Sequence, residues 1–118
     1  MRAIKFRGKD IKTGEWRYGS LLVHRTHAPH IVDCTGRFPD VKTHTVMSET
    51  VGQYTGLKDK NGVEIYERDV VRDYEGVIHY VIWSAGDGCF DFTGSPYALS
   101  DDCEVIGNIY DDPDLLKE

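Results

Sequence analysis

The sequence predicts a small all-β protein, with a small barrel favoured for its second half. Three observations carry this expectation. Short runs rich in Val, Ile, Tyr, Thr and Trp recur along the chain, several with the period-2 alternation of a strand that buries one face. Turn signals built on the 12 Gly together with Asn and Asp separate those runs. The densest turn chemistry, Gln53 to Val71, lies between two stretches suited to β-structure. Many short strands with frequent turns fit a barrel or sandwich.

In chain order, residues 2–8 alternate Ile4 and Phe6 with Lys5 and Arg7, as a strand does. Lys9 to Gly14 is a turn, and Glu15 to His24 resumes the alternation through Trp16 and Tyr18, giving an N-terminal hairpin. Gly19 inside the second strand suggests a bulge or a close backbone approach. Ile31-Val32 reads as a short strand, residues 34–40 as a loop, Val41 to Met47 as a strand, and Ser48-Glu49-Thr50 as a turn or single helical turn. Gln53-Tyr54-Thr55 closes a strand that Gly56 breaks, and the polar run from Lys58 ends in Asn61-Gly62, which tolerates positive φ. Asp69 precedes Val70-Val71, where an aspartate accepts backbone N–H bonds from its own turn and fixes the strand's entry. Tyr74-Glu75-Gly76 is a tight turn. Val77 to Trp83, apolar at nearly every position, is the expected central strand. Residues 84–88 turn into a strand at Cys89 to Phe92, which Gly94-Ser95-Pro96 ends. Cys103 to Tyr110 is the last strand, with Gly107 as a bulge or bend, and Pro113 starts a terminal helical turn.

Composition narrows the function classes. A chain of 118 residues forms one ordinary domain, burying roughly 65% of its unfolded surface. Its apolar runs are too short to cross a bilayer, and no apolar segment follows the basic N-terminal residues as in a secretory signal. Cys34, Cys89 and Cys103 make an odd count without a C-x-x-C pair, so reduced thiols in a cytoplasmic protein are expected. The net charge of −6 opposes non-specific nucleic-acid binding, yet residues 1–45 are rich in Lys, Arg and His while 101–118 are acidic. A local basic face is compatible with that distribution.

Several blocks resemble the YopX-like family of phage and prophage proteins, in order and over nearly the whole chain. They are Ile4 to Arg7, Trp16 with Tyr18 to Leu21, Glu49 to Gly62, Glu64 to Glu67, Asp69 to Val71, and Glu104 to Tyr110 ahead of Pro113. The resemblance implies an SH3-like barrel over about residues 51–112, an N-terminal β layer or subdomain over about 1–50 and a tail at 113–118. It supplies no catalytic residues and no cofactor. The chain departs from the family pattern at Gly8-Lys9, where an aromatic residue is usual, and at Arg68, where Gly is usual. Arg at positive φ would cost about 1 kcal/mol or more, so the expectation is a turn at negative φ that shows Arg68 as a surface charge.

Candidate sites are few. His24, His27 and His30 could ligate a transition metal, but a spacing of three places them on alternate faces of a strand, so only a loop could gather them. An exposed polar loop is the expected role, with no metal. Cys34 beside His30 or His44 lacks a nucleophile elbow, Gly86-Asp87-Gly88 lacks the Lys of a phosphate loop, and the carboxylates Asp87, Asp91, Asp101, Asp102 and Glu104 match no calcium loop. Arg7, Trp16 and Arg17 are candidates for stacking and phosphate contacts with single strands or RNA. Asn61, Gly62 and Asp69 are turn residues. The expected protein is a non-enzymatic interaction module, a homo-oligomer with an unidentified protein partner. The alternatives are a nucleic-acid-binding protein and a cryptic metal-dependent enzyme.

Overall fold

A computed structural model describes residues 5–33, 42–84, 89–92 and 102–116. These form ten strands and two short 3₁₀ turns. The chain divides into two compact units, Met1–Tyr54 and Thr55–Glu118.

In the first unit β1 (Phe6–Lys9), β2 (Trp16–Leu22), β3 (His30–Asp33) and β4 (Lys42–Thr45) form an antiparallel meander, and β5 (Gly52–Lys58) returns to pair with β1. The expected hairpin is β1–β2, with Gly14 at its turn in the left-handed region. Ile31 and Val46 are fully buried here. Gly8 admits Val46: a Cβ on Gly8 would lie 2.8 Å from Val46 Cγ2, where an aromatic side chain could not fit without displacing it. Gly19 is a close approach of backbone to backbone, since a Cβ there would lie 2.1 Å from the carbonyl oxygen of Val32. The turn at Ser48–Thr50 is a 3₁₀ turn whose Thr50 hydroxyl accepts the N–H of Lys9 at 2.9 Å and donates to the Met47 carbonyl at 2.6 Å.

Strand β5 continues through Gly56 rather than ending there; Gly56 takes φ 89 within the strand. In the second unit its end lies beside β6 (Glu64–Tyr66). The remaining strands, β7 (Asp69–Arg72), β8 (Ile78–Ser84), β9 (Cys89–Phe92) and β10 (Glu104–Asn108), form an antiparallel sheet in the order β10-β7-β8-β9. The run expected to be central, β8, lies between β7 and β9. Among the described residues the strands form two antiparallel sheets, and neither closes on itself. The core packs Ile65, Val71, Val81 and the free thiol of Cys103, with Leu57 and Val105 against them. Gly107 marks a register shift in the β10–β7 pairing, and a Cβ there would meet Asp112 Oδ2 at 2.5 Å. Pro113–Leu116 form a 3₁₀ turn. Residues 34–40, 85–88 and 93–101, on which the loop and turn expectations fall, lie outside the described residues.

Arg68 corrects the expectation of negative φ. Its φ is 68, and it is the one non-glycine at positive φ among the described residues. Its backbone is held from both sides: its N–H donates to the Val81 carbonyl at 2.8 Å, and its carbonyl accepts from Ile109 N–H at 3.1 Å. These two bonds, reaching β8 and the end of β10, fix the peptide geometry whatever the side chain. Gly at this position relieves the left-handed penalty but adds freedom to the unfolded chain, so Arg68→Gly is expected to stabilise by only about 0.5 kcal/mol. A higher urea midpoint with unchanged slope is the readout, and a lower midpoint contradicts it.

Candidate interaction surfaces

Four aspartates, Asp10, Asp59, Asp69 and Asp73, are engaged as acceptors of backbone N–H groups. Asp59 Oδ1 accepts the N–H groups of Asn61 at 2.8 Å and Val63 at 2.9 Å, and its Oδ2 accepts Val105 N–H at 2.9 Å. It therefore closes its own turn and also ties that turn to β10. Burial pushes its pKa up, but the N–H donors of Val105, Val63 and Asn61, with the charge of Lys60, outweigh burial and leave it lowered. Within this turn Gly62 takes φ 83, while Asn61 stays out of the left-handed region. Asp69 is buried and accepts the N–H of Tyr66 at 2.7 Å, within its own turn. Asp73 accepts Glu75 N–H and Val77 N–H, both at 2.9 Å, and its Oδ2 lies 2.8 Å from His79 Nε2. The His79 hydrogen bond, followed by that of Val77, lowers the Asp73 pKa. In the first unit Asp10 accepts Lys12 N–H at 2.8 Å and Thr13 N–H at 3.3 Å; the Lys12 bond is the main reason its pKa is lowered. An aspartate accepting from residues two and three positions ahead is an Asx turn, which sequence can suggest. The long-range Val105 and His79 contacts have no such signal.

The predicted nucleic-acid residues are separated. Arg7 stacks on Trp16, with Cζ 4.5 Å from the ring centroid, and is only 6% exposed. Arg17 is sent elsewhere: its Nε donates to Asp10 Oδ2 at 3.0 Å and its Nη2 lies 3.3 Å from Glu15, with His44 Nδ1 3.5 Å from the same Asp10 oxygen. Adjacent residues of a strand face opposite ways, so Trp16 and Arg17 cannot serve one surface. Arg17 fixes the hairpin turn instead.

The histidines are partly gathered. His24 lies 4.7 Å from His30, edge to face, and 5.9 Å from His27, between ring centroids. The bend at residues 25–27 brings this about, as only a loop could. His30 Nδ1 is buried without a hydrogen-bond partner. Among the described residues no three His, Cys, Asp or Glu side chains are arranged to hold a metal ion. Cys34 lies outside the described residues, as do Asp87, Asp101 and the Gly86-Asp87-Gly88 turn.

The second unit carries a groove that sequence reading missed. Glu67, Arg68, Tyr80, Val81, Ile82 and Trp83 line about 420 Å³ of space where the Glu67-Arg68 turn meets β8. Trp83 is 49% exposed, although β8 is the most apolar run of the chain. The left-handed backbone at Arg68 sets the turn that walls this groove.

Two comparisons with known proteins bear on these units. The structure is similar to the crystal structure of protein EF1440 from Enterococcus faecalis, with a TM-score of 0.62 and 25% sequence identity over 99% of this chain and 100% of that one. No curated protein matches the chain. The family model described as YopX protein matches residues 5–117. With that match spanning nearly the whole sequence, the chain belongs to the YopX family.

Proposed function

We propose that the chain is a non-enzymatic module that acts through protein contacts and associates with a second copy of itself through the groove of its second unit. A phage or prophage gene and the host cytoplasm are the setting that the family suggests. The observation that carries this reading is the half-exposed Trp83 beside Glu67 and Arg68. An exposed Trp next to an Arg is the composition of a contact hot spot rather than of a bare surface. The groove also holds one acid and one base on adjacent residues. A two-fold related copy then sets each Glu67 against the other's Arg68, so the surface is complementary to itself. Among the described residues β9 ends the sheet order beside β8, and a sheet edge suits the same two-fold approach. The carboxyl pKa is lowered in Asp10 chiefly by the Lys12 N–H, in Asp59 by the N–H groups of Val105, Val63 and Asn61 against burial, and in Asp73 by His79 ahead of the Val77 N–H. This is opposite to the raised carboxyl pKa of a general acid.

Light scattering over a concentration series is expected to show reversible dimerisation. Glu67→Arg and Arg68→Glu each bring like charges together across the two-fold and dissociate the dimer. The double variant exchanges the two charges and restores it. Trp83→Ala dissociates it as well. A strict monomer at high concentration, or a double variant no better than the singles, refutes this interface.

A further inference from the structure

We infer that one face of the first unit's sheet is a binding surface for single-stranded nucleic acid. The two units differ sharply in charge. Residues 1–54 hold nine Lys and Arg against five Asp and Glu, with four of the five His, while residues 55–118 hold five against fifteen. The net negative charge of the chain therefore resides in the second unit, and the first is basic.

Strand geometry concentrates part of this basic charge on one side. Lys5, Arg7 and Lys9 are two residues apart and point the same way. In the β1–β2 register Arg7 is opposite Tyr18 and Lys9 is opposite Trp16, so both aromatic rings share that face. Tyr54 N–H donates to the Lys5 carbonyl at 2.8 Å, which places β5 alongside. The cations lie against the rings: Lys5 Nζ is 5.2 Å from the Tyr54 centroid, Arg7 Cζ 4.5 Å and Lys9 Nζ 5.6 Å from that of Trp16. The same registers put Ser20, Leu22, His30, Val32, Thr43 and Thr45 on this side and turn Asp33 to the other. Among the described residues of β1–β4 this face carries no carboxylate.

The residues divide the work by exposure. Arg7 and Tyr54 are buried, so they brace Trp16 and Lys5 rather than meet a ligand. Tyr18, 47% exposed, offers its ring for base stacking, and the half-buried Lys5 and Lys9 are placed for the flanking phosphates. Bases that are unpaired can lie on such a sheet face; those inside a duplex cannot, which selects single strands. Of the residues named from the sequence, Arg7 and Trp16 lie on this face together with Tyr18, Lys5 and Lys9, and Arg17 lies on the other.

Fluorescence anisotropy of labelled oligo-dT and oligo-U against the full chain tests this. Affinity is expected to fall with salt, with a log–log slope of about −0.7 for each phosphate neutralised. Lys5→Glu with Lys9→Glu abolishes binding, and Tyr18→Ala weakens it about tenfold. Lys42→Glu, on the opposite face and with the same charge change as one of those substitutions, leaves affinity within about twofold. Thermal melts of the lysine variants verify that they fold. No binding at low salt, equal loss in Lys42→Glu, or equal affinity for duplex DNA or poly-glutamate overturns the inference.

Discussion

Replacing Asp59 by Ala is expected to destabilise the second unit by about 2–3 kcal/mol. The carboxylate serves three N–H groups, of which Asn61 and Val63 are exposed and find water when it is removed. Val105 is half-buried in β10 and loses its acceptor across 46 residues of chain. Asp59→Asn separates these effects. Its carbonyl oxygen can still serve Asn61 and Val63, but its amide NH₂ then faces the Val105 N–H, so an intermediate loss of about 1–2 kcal/mol is expected. Because the folded pKa of Asp59 is lowered, its stabilisation is fully present above the unfolded-state value of about 3.9 and is lost as pH falls through the folded value. Urea midpoints measured from neutral pH into the acid range check both parts. The parent loses stability at the acid end, and the Asp59 variants lose less there, the remaining loss coming from groups such as Asp10 and Asp73. An Ala variant with the parent's midpoint removes Asp59 from the role assigned to it.

Gly19→Ala is expected to cost about 3 kcal/mol or more. The new methyl would sit 2.1 Å from the Val32 carbonyl oxygen and 2.9 Å from its carbon, and φ 155 is itself a poor angle for an L-residue. Both partners are backbone, so no rotamer change can relieve the clash, and β2 must part from β3 near the Ser20–Val32 pair. Gly14→Ala is the contrast. Gly14 takes φ 75 with nothing within 4 Å of the added Cβ, so only the left-handed penalty of about 1–2 kcal/mol applies. Chemical denaturation of both variants, with amide exchange on β2 and β3, distinguishes steric from torsional cost. Equal losses in the two would mean that the close approach at Gly19 carries no weight.

The parts of this structure that were legible in the sequence are those decided locally. Alternation located β1, β2 and β4, continuous apolar character made β8 central, and Gly107 announced the register shift in β10. The parts that were not legible depend on distant partners. Gly56 has the profile of a strand breaker, yet β5 carries on through it because its two ends pair with different neighbours. Arg68 has a side chain that prefers negative φ, yet the bonds to Val81 and Ile109 impose 68. The grouping of Arg7, Trp16 and Arg17 treated basic residues near aromatic ones as one surface, whereas the period of two assigns Arg17 to Asp10 on the other side. That partition was available in the alternation alone. The groove was not, because Glu67 and Trp83 come to line one space only once β7 and β8 have paired.

The connectivity of the two units has a consequence during synthesis. In each, neighbouring strands form a meander that can assemble as it emerges from the ribosome, and one later strand then returns to its edge: β5 to β1 and β10 to β7. The first meander gains its returning strand once Gly52 to Lys58 have been made. The second must hold Asp59 without its Val105 donor until Glu104 to Asn108 arrive. Translation therefore leaves an interval in which the first unit is complete and the β7 edge that β10 later covers is open. Nascent chains on one message are most prone to pair prematurely during that interval.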